Sequence, residues 1–198
     1  IATPAPRAYT FEELKAALPS ADEVDGGLEV EFTCPEDKDR CLDGHSSSAS
    51  VFIDLEAATP ELTEKQANLG VNSVHVDVQT DPDEDAAKTQ QAKRRTSFER
   101  YDGAYDIPRE DIDSGGYIPA EKGNGAFEDA SSGVFTGYRL SRTATSEVQG
   151  KYFYSQIDVR SGSASVTVAA ILGADGRTLA DAEMLASKVL ADYLKRLG

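Results

Sequence analysis

The chain has 198 residues, 39% of them hydrophobic and 28% charged, with 35 Asp and Glu against 20 Lys and Arg and a formal net charge of −15. That length suits one domain able to bury roughly 70% of the surface its unfolded chain exposes. A surface this acidic argues against nucleic acid as a partner, and no apolar run approaches the ~18 residues of a membrane span.

The opening Ile1-Ala2-Thr3-Pro4-Ala5-Pro6 forms no element. Residues 1–8 read as a flexible spacer left after a signal, or a signal plus lipid-anchor segment, is cut off, and residues 9–198 as a single α+β domain. The expected location is extracytoplasmic, secreted or lipid-anchored to the outer face of the cell membrane. A first helix is expected over about residues 10–18, with Thr10 and Glu13 forming a capping box and Pro19 stopping it.

Leu28 to Thr33 alternates apolar and acidic residues, as a half-buried strand does. Cys34 and Cys41 follow, separated by polar turn formers, and an expected disulfide between them suits an oxidising compartment. Zinc on Cys34, Cys41 and His45 is the competing reading; it lacks a fourth ligand and a C-x-x-C spacing, so no metal is expected. Val51, Ile53 and Leu55 mark a second strand, and Thr59-Pro60-Glu61-Leu62 suits the start of a helical turn. In a third strand Val74, Val76 and Val78 share one face, with Ser73, His75, Asp77 and Gln79 on the other. That asymmetry favours an antiparallel sheet.

Asp81-Pro82-Asp83-Glu84-Asp85 has Ala86 where a calcium loop needs Gly. A helix start fits every residue, with Asp81 as N-cap and Pro82 in the first turn, opening a helix over about 82–101. From Tyr101 to Gly133 the pattern turns irregular and rich in glycine, with aromatics spread through it. Three strands follow, at about 134–142, 152–160 and 163–172, the last two joined by a tight turn at Ser161-Gly162. A final helix over about 178–197 is capped by Thr178 and Asp181. The fold expected is a twisted antiparallel sheet of about six strands packed by three helices.

Both histidines sit in polar surroundings, and no nucleophile elbow, P-loop, dinucleotide fingerprint or H-E-x-x-H occurs. No cofactor and no catalysis are therefore expected. A binding module needs an aromatic or apolar concavity with a few polar groups. The segment 101–138 has that composition, and Tyr105, Tyr117, Phe127 and Tyr138 are the candidate ligand contacts.

Several segments resemble extracytoplasmic sensor-type domains and lipoproteins of actinobacteria, including the extracellular domains of PknH-type serine/threonine kinases. They are Phe11-Glu12-Glu13-Leu14-Lys15-Ala16-Ala17-Leu18-Pro19, Asp106-Ile107-Pro108, Gly125-Ala126-Phe127-Glu128-Asp129 and Val159-Arg160-Ser161-Gly162-Ser163-Ala164-Ser165-Val166-Thr167-Val168. The resemblance implies a twisted antiparallel sheet backed by helices, with a cleft for an external ligand. The kinase domains have two disulfides, whereas this chain has cysteines for one. The function expected is a non-enzymatic, sensor-like envelope domain, monomeric, binding a small ligand or an envelope protein. The alternatives are an envelope hydrolase using paired carboxylates and a purely structural interaction domain.

Overall fold

The computed structural model describes residues 7–24, 28–34 (backbone alone), 47–55, 72–111 and 117–198. Helix α1 (Phe11–Ala16) starts at the expected capping box: the Thr10 hydroxyl accepts from the Glu13 amide, and Glu13 accepts from the Thr10 amide. Strands β1 (Leu28–Cys34), β2 (Ser47–Asp54) and β3 (Ser73–Thr80) form an antiparallel meander. Helix α2 (Glu84–Phe98) follows and tightens into a single 3-10 turn at Glu99–Tyr101.

The N-cap of α2 is Asp83, whose carboxylate accepts from the Ala86 amide at 2.8 Å. The sequence pointed two residues earlier, to Asp81. That side chain is buried and engaged by the Gln79 amide at 2.7 Å, so tertiary packing removes it from capping.

Strands β4 (Gly103–Ile107), β7 (Glu121–Ser132), β8 (Phe135–Ser146), β9 (Gly150–Ser161) and β10 (Ala164–Gly173) follow, with a short ribbon β5 (Glu110–Asp111) and β6 (Tyr117–Ile118) between β4 and β7. Helix α3 (Leu179–Leu197) closes the chain with the expected Thr178/Asp181 capping box. All the main-sheet pairings are antiparallel, in the order β1-β2-β3-β10-β9-β8-β7-β4. The six expected strands are present, and the sheet reaches eight because the glycine-rich stretch supplies β4 and β7. β7 reads as loop in sequence because polar residues and glycine fill it; its alternation of half-buried and exposed positions appears only once β8 lies beside it.

The β9–β10 hairpin pairs Val159 with Val166 and Ile157 with Val168, as the alternation implies. Its turn is Gly162-Ser163, one residue later than expected, with Gly162 at φ +58, the left-handed backbone a two-residue hairpin requires.

The sheet has helices on both faces. Val51, Ile53, Val74, Val76, Val78, Val166 and Val168 face α1 and α3 and make the main core with Leu14, Val189, Leu190 and Tyr193. Each such valine, fully removed from water, contributes about 1.5–3 kcal/mol. α1 is pinned to α3 through its last carbonyls: the Tyr193 hydroxyl donates to Leu14 O at 3.0 Å and Arg196 Nε to Ala17 O at 2.9 Å. Arg7, within the stretch that reads as spacer, pairs with Glu13 at 2.6 Å and donates to Leu197 O at 3.5 Å. The opposite face carries α2 and a second apolar cluster of Leu140, Ala144, Tyr152, Tyr154 and Ala169. Cys41 and the helical turn expected at Thr59–Leu62 lie outside the described residues, and of Cys34 only the backbone at the end of β1 is described.

Candidate functional site

Tyr138 and Phe127 occupy the α2 face and touch, ring centroids 5.5 Å apart. The Arg95 guanidinium of α2 lies over both rings, at 5.3 and 5.5 Å. Tyr138 is 1% exposed, whereas Phe127 is half-buried. Tyr105, on the edge strand β4, joins the same face further along, set edge-on to Tyr101 at 5.1 Å. Tyr117 stands apart on the β5–β6 ribbon, 44% exposed, with Arg109 stacked over its ring at 3.8 Å. Phe127 and Tyr138 are thus in direct contact, Tyr105 shares their face, and Tyr117 belongs to a separate surface.

Next to Tyr105 lies a polar knot. Arg142 pairs with Glu121 at 2.5 Å, and its guanidinium lies 4.0 Å from the Tyr101 ring, 4.6 Å from Tyr154 and 5.8 Å from Tyr152. The Tyr105 hydroxyl donates to Glu121 Oε1 at 2.7 Å, and the Tyr152 hydroxyl donates to Glu121 Oε2. Register builds this cluster: Arg142 pairs with Gly125 and Tyr154, Ala144 with Gly123 and Tyr152, and Tyr105 with Gly123. A Cβ on Gly123 would fall 2.6 Å from the Tyr105 hydroxyl, so glycine is what lets that ring lie across β7. Burial, then the hydrogen bond and charge of Glu121, push the Tyr105 hydroxyl above its ordinary value, with Arg142 opposing. Burial does the same to Tyr152 and Tyr154, again against Arg142. The knot is therefore a set of neutral phenols around a charged pair, suited to hydrogen bonding and stacking.

A second polar group docks α2. Asp158, fully buried on β9, accepts from Arg94 Nε at 2.6 Å, Arg94 Nη2 at 3.3 Å, Gln91 Nε2 at 3.0 Å and the Tyr138 hydroxyl at 3.4 Å. Burial and the adjacent Asp158 charge push the Tyr138 hydroxyl up. Gly137 permits the close approach: a Cβ there would fall 1.9 Å from the Asp158 carbonyl oxygen and 2.6 Å from Gln91 Nε2. Sequence reasoning missed Glu121, Arg142, Tyr152, Tyr154 and Asp158. The only signal available was their strand parity, which is informative once the register between β7, β8 and β9 is known.

Three layers, with α1 and α3 on one side of an antiparallel sheet and α2 on the other, define an α+β domain. No protein-family model and no curated protein matches the chain. Among solved structures, the chain is similar to the extracellular domain of PknH from Mycobacterium tuberculosis, with a TM-score of 0.54 and 13% identity over 96% of this chain and 98% of that one. At that identity the likeness establishes the shared fold. Among the described residues no helix is long and apolar enough to cross a membrane.

Proposed function

We propose that the chain is a sensor-like extracytoplasmic domain that works by binding rather than by catalysis. The observation that carries this reading is the near end-to-end fold likeness to the extracellular domain of a kinase. The α2 face offers what such a function requires: half-buried Tyr101, Tyr105 and Phe127 rings over a buried floor, with Glu121, Arg142 and the phenols as polar groups. In this reading Tyr105 and Phe127 contact the ligand, Tyr138 supports Phe127 from beneath, and Tyr117 forms a separate contact for a protein partner. The domain acts as a monomer, secreted or held by a lipid anchor, and Cys34 and Cys41 form a disulfide.

Two measurements test this. Protease accessibility of the full-length protein in intact cells should show the domain outside the membrane; protection until lysis would sink the location. A thermal-shift screen of small aromatic and polar metabolites against the folded domain should yield a stabilising compound whose effect disappears in the double variant Tyr105→Ala/Phe127→Ala. A shift that survives the double variant, or a screen without any shift, rejects the aromatic face. Two titratable thiols in the unreduced, denatured protein would remove the disulfide.

A further inference from the structure

On the face opposite α2, helix α3 packs chiefly over β9 and β10 and more lightly over β8. Beside the helix, β7 and β8 border an open cleft of about 350 Å³. That lies at the small end of the ~300–1,000 Å³ common for ligand pockets. We propose that this cleft, centred on Arg139 and Ser187 with Glu128 at its rim, is a binding site for a small zwitterion of the α-amino-acid class.

Arg139 differs from the arginines matched to acids, Arg94 with Asp158, Arg142 with Glu121, Arg160 with Glu84 and Arg196 with Glu23, and from the exposed Arg95 and Arg100, which lie over aromatic rings. Arg139 is half-buried and lines the cleft, yet among the described residues no carboxylate lies within 4.0 Å of it. A guanidinium has five N–H donors. One bond is made here, from Nη2 to Ser187 Oγ at 2.6 Å, and Nε is buried without an acceptor. The Ser187 hydroxyl is oriented in turn by its own donation to the Glu183 carbonyl at 2.6 Å, and so meets Arg139 as an acceptor. Planar, bidentate recognition of a carboxylate is the chemistry such an arginine suits best.

The other end of the ligand follows from the rim. Glu128 is the cross-strand partner of Arg139, exposed and not paired with it. In a chain of net charge −15 that acid repels a plain anion at the entrance. A molecule carrying its own ammonium group meets Arg139 with one end and the rim with the other. Ser132 adds a hydroxyl to the lining, and Ile157, Val159 and Leu190 are so nearly buried that they leave contact area for only a short aliphatic portion. The fit is therefore a small amino acid.

Titration calorimetry of the folded domain with alanine, propionate and ethylamine tests this directly. Alanine is expected to saturate the site at millimolar concentration, with propionate at least about tenfold weaker, which corresponds to ~1.4 kcal/mol, and ethylamine silent. Arg139→Met and the surface change Glu128→Gln should each weaken alanine by about tenfold or more. Amide and side-chain NMR shifts of the wild-type domain should move at Arg139 and Ser187, which holds whether or not the arginine variant folds. Equal binding of propionate and alanine overturns the proposal, as does absence of alanine binding or shifts that map elsewhere.

Discussion

Replacing Asp158 with alanine is expected to destabilise the domain by about 3–4 kcal/mol, within the ~3–5 kcal/mol typical when one partner of a buried ion pair is removed. The carboxylate is fully buried and accepts from Arg94, Gln91 and Tyr138. Four such bonds at ~1.5–3 kcal/mol each would sum to more. Three features hold the loss down. Arg94 is 27% exposed and can recover water, Gln91 keeps its 3.1 Å bond to the Asp158 backbone carbonyl, and the Tyr138 contact is long at 3.4 Å. Asp158→Asn keeps an oxygen acceptor and should cost about 2 kcal/mol, the loss of charge assistance from the bond to Arg94. Urea unfolding followed by far-ultraviolet circular dichroism reads these values, and thermal unfolding should fall by roughly 6–16 °C for alanine at ~2–4 °C per kcal/mol. The decisive comparison is Arg94→Met/Asp158→Ala, in which the charge leaves with its partner. Its cost should fall short of the sum of the single changes by ~1–3 kcal/mol. Additivity within about 0.5 kcal/mol, or an Asp158→Ala cost below about 1 kcal/mol, would refute the idea that this pair docks α2.

Gly137→Ala should cost about 2–3 kcal/mol, near the top of the ~1–3 kcal/mol range for overpacking, and should raise hydrogen exchange in α2, because the new Cβ meets both the Asp158 carbonyl and Gln91. Tyr193→Phe removes the hydroxyl that donates to Leu14 O and should cost about 0.5–1.5 kcal/mol in urea unfolding, with the loss concentrated in protection of α1. Burial pushes the hydroxyls of Tyr105, Tyr138, Tyr152, Tyr154 and Tyr193 above their ordinary value. The unfolded chain ionises these groups near pH 10 while the folded chain keeps their protons, so their contribution is complete below about pH 10 and falls as pH rises. Tyrosinate absorbance should therefore appear in a gradual phase followed by a cooperative one that coincides with loss of circular dichroism; full ionisation of all eight tyrosines with the fold intact would contradict this.

What could be read from sequence was whatever short-range chemistry determines. Thr10 with Glu13 and Thr178 with Asp181 cap helices through contacts three residues apart, and Val74, Val76 and Val78 display their face directly. β7 was illegible because its partner, not its own residues, makes it a strand. The N-cap of α2 shifted for the same kind of reason, a side-chain bond from Gln79 claiming Asp81. At the candidate site, Tyr105, Phe127 and Tyr138 were visible as aromatics in an unusual segment. Glu121 and Arg142 were not, since 21 positions separate them and their pairing depends on the β7–β8 register. Arg139 gives no sign in sequence that it lacks an acid, in a chain with acids at almost every turn.

The strand order has a consequence for how the protein forms. β1-β2-β3 and β7-β8-β9-β10 are each meanders of sequence neighbours, whereas β3 and β10 meet across the middle of the sheet, pairing Val76 with Val168. Closing that seam restrains a loop of some ninety residues, a cost that grows with the logarithm of loop length and is met before any of its contacts form. The expected order is two half-sheets that assemble early and a seam that zips last, with folding in the slow range of non-local β topologies. Val76→Ala should then mainly speed unfolding, whereas Leu140→Ala should slow refolding; equal partitioning of the two would contradict a late seam. Until the seam closes, the Val74, Val76, Val78 edge of one half and the Val166, Val168 edge of the other are open β-edges in the same chain, each able to pair with the wrong copy.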